Sequence, residues 1–497
     1  MKAAWNKYQT ARMMVCFLSD ISSLLNWQRV KTNKMAAFTE YVRSSLDNIK
    51  TEECMQRKII LLQTLHDRLK GNSLQEYNIF IEEKKLYYDL MIFLTDSGLV
   101  KKSFENELGR DYTETDFIGL PEIAEYSLSC IHILLPFLQY FESEYEIYKS
   151  IIKSILILCA THCDHYPWSS KICVNKTKDI LSSLLNVTRF KTIELLLQGR
   201  KSSENLINSI LLAIKPHLMK NNWYKNPSNR FIFKWFLLHI KYPHLSCYLT
   251  EVLPPSLIFV DDHLVENKVL GLECLYHIIE NLPPSELKLN GKADVVYDAL
   301  KHLLYIAELP VINILHPCLL KFLSGQERNP KNSSVDFRST RYDEVYGQLL
   351  WNMEHEQKIL FRRAYSAYIP EYINAMGIAV CYHMKQTLRT LLEYLLIYDG
   401  PEEVSRRNAL LSLKVLISVA WPRIPYHWEE IMKNILICIY EVEEEDISIE
   451  GMIAIYAIFI FQIYLVHFKQ LLCCSFLFCK LTAVCCRIVS SIYFLIC

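Results

Sequence analysis

The sequence predicts an all-α protein, specifically an irregular HEAT-like α-solenoid of antiparallel helix pairs. Three observations carry that prediction. Apolar residues recur at helical spacing along most of the 497 residues, and period-two alternation bounded by turn signals hardly occurs. Glycine is present only 12 times, and no two glycines are closer than Gly109 and Gly119. At roughly 100 to 200 residues per domain, a chain this long is either two to four compact domains or one repeat array. Helical units separated by proline breaks favour the array.

Composition excludes several functions. Phosphate-cradling loops and nucleophile elbows need glycines roughly two to five positions apart, so Walker, dinucleotide-binding and Gly-x-Ser-x-Gly motifs are absent. Lys and Arg number 54 against 54 Asp and Glu, with no dense basic block, which argues against nucleic acid or an anionic membrane as a direct ligand. The first apolar run, "MMVCFL", is broken by Ser19-Asp20 and is too short for a signal-peptide core of roughly 7 to 15 residues. The body of the protein is therefore expected to be cytoplasmic, with the nucleus as a second compartment. Its 17 cysteines are then reduced thiols, and the sequons at Asn175, Asn186 and Asn332 go unmodified.

In chain order, residues 1–34 read as an N-terminal extension, since "MAAFTEYV" beginning at Met35 is a plausible start. Residues 35–323 form an N-terminal and central helical-repeat block. Within it, "CATHCDHYPWSSKIC" is the best metal candidate, with Cys159 and Cys163 spaced i and i+4 on a helix and His162, His165 and Cys173 nearby. That spacing matches no zinc ligand set, and helix-core cysteines followed by a Tyr-Pro-Trp loop explain it equally well. No metal, cofactor or catalytic residue is expected.

The stretch "VLPPSLIFVDDHLVENKVLGLECLYHIIENLPP", residues 252–284, places Asp261, Asp262 and His263 between two Pro-Pro pairs. Adjacent side chains entering a helix diverge rather than converge on one atom, so a helix cap at Asp262 is the expected role. Asp261, which the cap does not use, is the better candidate for a partner contact. The helix is expected to bury Val265, Val269, Leu272, Tyr276 and Ile279, to expose Glu266, Glu273, His277 and Glu280, and to stop at Asn281-Leu282 before Pro283. "DVVYDALKHLLYIAEL" and "VINILHPCLLKFL" repeat the pattern, with Pro317 kinking or restarting the second helix. The unit length is roughly 40 to 47 residues, without a strict sequence period.

Residues 324–340 lose the apolar pattern and read as a surface loop. A C-terminal helical block, 341–450, follows, with Tyr346, Leu349, Leu350 and Met353 on one stripe and Leu388, Leu391, Leu392 and Leu395 on another. Gly400 marks a turn, Pro401 suits the first helical position, and Glu402 and Glu403 complement the helix dipole. Trp421-Pro422 ends that helix. "EVEEED", 441–446, reads as a solvated helix end. From Met452 onward there is no Asp, Glu, Asn, Gly or Pro, and six cysteines accumulate, so 451–497 is an atypical hydrophobic tail. Translated intron or an alternative exon is the preferred origin of this tail. Use of it as a membrane anchor for a tethered helical protein is the alternative function.

The 252–284 stretch, "HYPWSS" (165–170), "ILHPCLLKFL" (314–323), "IYDGPEEVSRRNALLSLKVL" (397–416) and "WPRIP" (421–425) together resemble the Tti-Two family, over about residues 120–435. That family is the smallest subunit of the Triple-T (TTT) co-chaperone complex. The resemblance implies a non-catalytic helical scaffold that joins Tti-One and Tel-Two. With the ninety-kilodalton heat-shock chaperone, it would support maturation of phosphatidylinositol-3-kinase-related kinases. By the same resemblance, Leu253, Pro254, Pro255, Asp261, Asp262, Asn267, Gly271, Gly400, Pro401, Glu402, Trp421 and Pro422 belong to the family pattern, and Asp261, Asp262, Asn267, Gly400, Pro401, Glu402, Trp421 and Pro422 are the candidate partner-contact or family-pattern residues.

Overall fold

A computed structural model describes residues 36–71, 79–101, 112–142, 144–200, 205–220, 222–328 and 339–444. The possible extension at 1–34 and the 451–497 tail lie outside these residues. Every regular element among them is helical. The chain divides into two compact units, with the boundary between Pro255 and Ser256.

The first unit holds α1 (36–51), α2 (Met55–Gly71), α3 (Ile79–Glu82), α4 (Lys84–Ser97), α5 (Leu120–Leu134), α6 (Tyr145–Thr161), α7 (Lys171–Thr188), α8 (Ile193–Gln198), α9 (Leu206–Ile214), α10 (Ser228–Leu238) and the start of α11 (His244–Val260). Packing is between near neighbours in sequence. α2, α5 and α7 form one row and α4, α6 and α10 the other, with α4 crossing onto α5. Trp168 shows how sequence sets this locally. Its ring is fully packed against Phe117, Tyr166 and Phe231, and its indole N–H donates to the Thr161 carbonyl at 2.9 Å, an acceptor freed by the end of α6. Cys159 is buried on α6, but the helix stops at Thr161, so Cys163 sits in the following turn rather than one helical turn further on the same face.

The second unit holds α12 (Val265–Asn281), α13 (Pro284–Lys288), α14 (Lys292–Leu303), α15 (Leu309–Gln326), α16 (Arg341–His355), α17 (Ile359–Ser366), α18 (Ile369–Met376), α19 (Met384–Leu396), α20 (Val404–Val419) and α21 (Trp428–Glu444). α17 and α18 are two halves of a helix broken before Pro370. One row runs α12, α15, α17–α18, α20, and the other α14, α16, α19, α21. Their members begin about every 43 to 50 residues, the length expected of paired-helix repeats. This is the HEAT-like arrangement, with helices stacked on neighbours one repeat away.

Members of the first row run parallel. Gln326, at the end of α15, donates to the Pro284 carbonyl just past the end of α12 at 3.0 Å. Tyr368 donates to the Asn313 carbonyl, and His316 lies 3.2 Å from the Tyr372 hydroxyl, which pairs α15 with α17–α18 in step. Asn408 donates to Ser366 at 3.1 Å, pairing α20 the same way.

Several local expectations change. The α12 stripe is broader than its periodicity suggested. Asn267, Leu270, Gly271, Cys274, Leu275, His277 and Ile278 are buried, whereas Val265, Val269 and Tyr276 are only partly so. The reason is packing on two sides. α15 covers one face, and the end of α11 presses so close that a Cβ on Gly271 would meet the Val260 nitrogen at 2.5 Å and the Phe259 carbonyl carbon at 2.9 Å. Pro317 neither stops nor restarts α15, which is continuous through it to Gln326. The stripes at Tyr346–Met353 and Leu388–Leu395 are buried as expected.

Candidate partner-binding edge

Parallel first-row helices bring four connections to one edge of the second unit: 261–264 entering α12, 304–308 entering α15, 356–358 entering α17 and 397–403 entering α20. Asp261 and Asp262 belong to the first of these, with Asn267 in the first turn of α12 beside it, and Gly400, Pro401 and Glu402 belong to the last, so six of the sequence-selected residues lie at this edge. Trp421 and Pro422 follow the end of α20 and lie at the opposite edge, where Trp421 is half exposed.

At the first connection, Asp262 is the organiser. Its Oδ2 accepts from the Leu264 amide at 3.3 Å and from the Asn267 side-chain amide at 2.5 Å, and its backbone carbonyl accepts from Lys268 Nζ. α12 starts at Val265 with Leu264 at the N-cap position, so Asp262 ties the entering chain rather than capping the helix directly. Asn267 is almost fully buried beneath it. Asp261 is exposed and, among the described residues, has no ion-pair partner. Glu266 and Glu308, at the starts of α12 and α15, are likewise exposed.

The last connection is held from α17. Arg363 Nε donates to Asp399 Oδ1 at 3.0 Å, Nη2 to the Asp399 carbonyl at 2.5 Å and Nη1 to Glu402 at 2.7 Å. The Asp399 hydrogen bond, followed by the carboxylate charges, raises the Arg363 pKa further above its already high ordinary value. Asp399 Oδ2 in turn accepts from the Ser405 amide at 2.5 Å, filling one of the orphan donors at the start of α20. Gly400 takes the left-handed backbone, φ +80°, that the turn requires. Pro401 and Glu402 stay outside the helix, which begins at Val404, and Glu403 folds inward to lie 3.2 Å from Arg406, both almost fully buried.

Beside these polar contacts the edge also carries exposed apolar side chains. Tyr305, Trp351, Ile359, Leu360, Leu396, Ile397 and Tyr398 are each between 39% and 65% exposed. Second-row helices end here as first-row helices begin, which is why the residues gather from α14, α16, α17 and α19. Sequence reading missed them because an exposed apolar residue at a helix end resembles an ordinary break in periodicity. It missed Arg363 and Asp399 because their pairing spans 36 residues. The available signal was the apolar character of "WNMEH", "KILF" and "LIY" immediately beside turns.

Chemically, the edge offers anchors and carboxylates. Among the described residues no three His, Cys, Asp or Glu side chains converge as a metal would need, and no helix is long and apolar enough to cross a membrane. His162 and the Cys173 thiol are absorbed by structure instead. The His162 ring lies 2.8 Å from the Gly98 carbonyl with its pKa lowered to about 4 by burial, and Cys173 bonds to the Pro121 carbonyl. His355 of "HEQKI" stacks on Trp351.

Residues 221–398 match the family model described as the Tti2 family. TELO2-interacting protein 2 of Homo sapiens is 34% identical over 293 residues, 59% of this chain and 58% of that protein, and the Rattus norvegicus protein is 35% identical over the same length. The chain thus spans about 58% of the length of these curated relatives. Among solved structures, Kap121p bound to RanGTP aligns with a TM-score of 0.46 at 12% identity, over 79% of this chain and 38% of that one. The first three connections of the edge, together with Leu396, Ile397 and Tyr398, fall inside residues 221–398, the segment that is similar to the Tti2 family.

Proposed function

We propose that this protein is a non-catalytic adaptor of a TELO2-containing co-chaperone assembly, the TTT complex. It would present a helical surface to Tti-One and Tel-Two and thereby support maturation of phosphatidylinositol-3-kinase-related kinases with the ninety-kilodalton heat-shock chaperone. The similarity to TELO2-interacting protein 2 of Homo sapiens carries this reading. The edge supports it. Half-exposed aromatic and aliphatic side chains beside exposed charged groups are a common make-up of a protein–protein surface. No nucleic acid, metal or cofactor enters the proposal, and the site of action is the cytoplasm, with the nucleus as a second compartment.

Affinity purification of the full chain with co-expressed TELO2 and Tti-One tests the reading. Stoichiometric recovery of both is expected, together with a fall in kinase abundance when the protein is depleted. A chain that elutes alone from such a mixture would remove the proposal.

A further inference from the structure

The adaptor reading leaves open which surface engages a partner and what that partner's surface must look like. We infer that the edge formed by the entries to α12, α15, α17 and α20 is a docking surface for an amphipathic helical segment. That segment would set apolar side chains against Leu360 and Tyr398 and basic side chains against Asp261, Glu266 and Glu308. The inference rests on the adaptor reading for the existence of a partner, and on geometry for its chemistry.

The edge is asymmetric. Apolar groups concentrate at the α17 and α20 entries, where Ile359 and Leu360 open α17 and Ile397 and Tyr398 open the connection into α20, the helix packed beside it. Carboxylates concentrate at the α12 and α15 entries. Asp261, Glu266 and Glu308 are all exposed there and, among the described residues, none has an ion-pair partner. Glu402, at the apolar end, is already engaged by Arg363. Unspent negative charge at one end and apolar surface at the other call for the complementary order in the occupant: cations first, apolar anchors second.

Length also constrains the occupant. Four first-row members spaced about 8 to 10 Å apart span about 24 to 30 Å, the length of a helix of roughly 16 to 20 residues. The apolar end is presented by a braced element, since Arg363 fixes the 397–403 connection by three hydrogen bonds. A braced surface loses little entropy on binding, which favours it as an anchor site.

The test uses the purified full chain and two synthetic helical peptides of about 20 residues that share one leucine face. One carries lysines flanking that face at one end, and the other carries glutamates there. The lysine peptide should bind about tenfold more tightly than the glutamate peptide at low salt, and the gap should narrow as salt rises. Asp261→Lys with Glu308→Lys should erase the preference. Leu360→Asp with Tyr398→Asp should weaken lysine-peptide binding about 100-fold. Tyr382→Asp with Tyr426→Asp, at the opposite edge, should leave it unchanged, with all variants melting as the parent does. Equal binding of both peptides, no binding of either, or equal sensitivity to the opposite-edge pair would overturn the assignment. In each of those cases co-purification with TELO2 still judges the adaptor reading separately. Peptide preference without TELO2 recovery would uphold the edge chemistry and sink that reading.

Discussion

Arg363 on α17 holds Asp399, 36 residues later, with Nε 3.0 Å from Oδ1, while the other oxygen of the same carboxylate accepts from the Ser405 amide at the start of α20. One buried acid therefore both joins two repeats and stabilises the beginning of a helix. Asp399 is only 3% exposed, so removing its cation leaves a charge with no water to replace it. Arg363→Met is expected to destabilise the chain by about 3 kcal/mol in urea unfolding, and Arg363→Lys by less. Unchanged unfolding in Arg363→Met would show that the contact carries no weight.

Gly271 is required by proximity rather than by backbone angle. A methyl group there collides with main-chain atoms of Phe259 and Val260, which cannot swing aside as a side-chain tip can. Gly271→Ala should cost about 1 to 3 kcal/mol, seen as a lower midpoint at constant slope. Gly347, which has open space around it, is the control, and Ala there should be tolerated.

At the first connection the two adjacent aspartates should separate cleanly. Asp262→Ala strands the buried Asn267 amide and the Leu264 amide, a loss of roughly 1 to 3 kcal/mol, whereas Asp262→Asn keeps an oxygen in place and should lose less. Asp261→Asn should leave the melting temperature alone. Equal destabilisation by Asp261→Asn and Asp262→Ala would contradict this division of roles.

His316 makes stability depend on acidity. Burial lowers its pKa to about 3, so the folded protein keeps the ring neutral while the unfolded chain protonates it near its ordinary value. Between about pH 6.5 and 3 the unfolded state binds one more proton. Stability is therefore full above this window and falls on acidification by about 1.4 kcal/mol per pH unit from this group. His316→Gln should flatten the slope of unfolding free energy between pH 6 and 4.5, and an unchanged slope would rule the ring out as its source.

Legibility followed the range of the interactions. The stripes of α16 and α19 were readable because each helix buries one face, and the turn at Gly400 because its conformation is local. α12 was misjudged because it is covered from two sides. His277, expected to be wet, is buried with its ring 3.2 Å from the Asn281 amide. Pro401 and the glutamates after it look like a helix start in isolation. They yield to Asp399 and Arg363, a pair no local window contains. The edge itself arises only when parallel rows align four separate connections, so its members could be named from sequence only in part.

Each first-row helix of the second unit leans mainly on the members one repeat before and after it. Opening is then a local event whose cost grows with the number of neighbours lost. Amide hydrogens of α15 and α16, flanked on both sides, should exchange with deuterium far more slowly than those of α21, which has α19 and little else among the described residues to hold it. Protection would fade along the array instead of vanishing at a single threshold. A partner laid across four helix entries would bind these separate openings into one, so that its arrival would register as a uniform slowing of exchange across repeats that otherwise breathe independently.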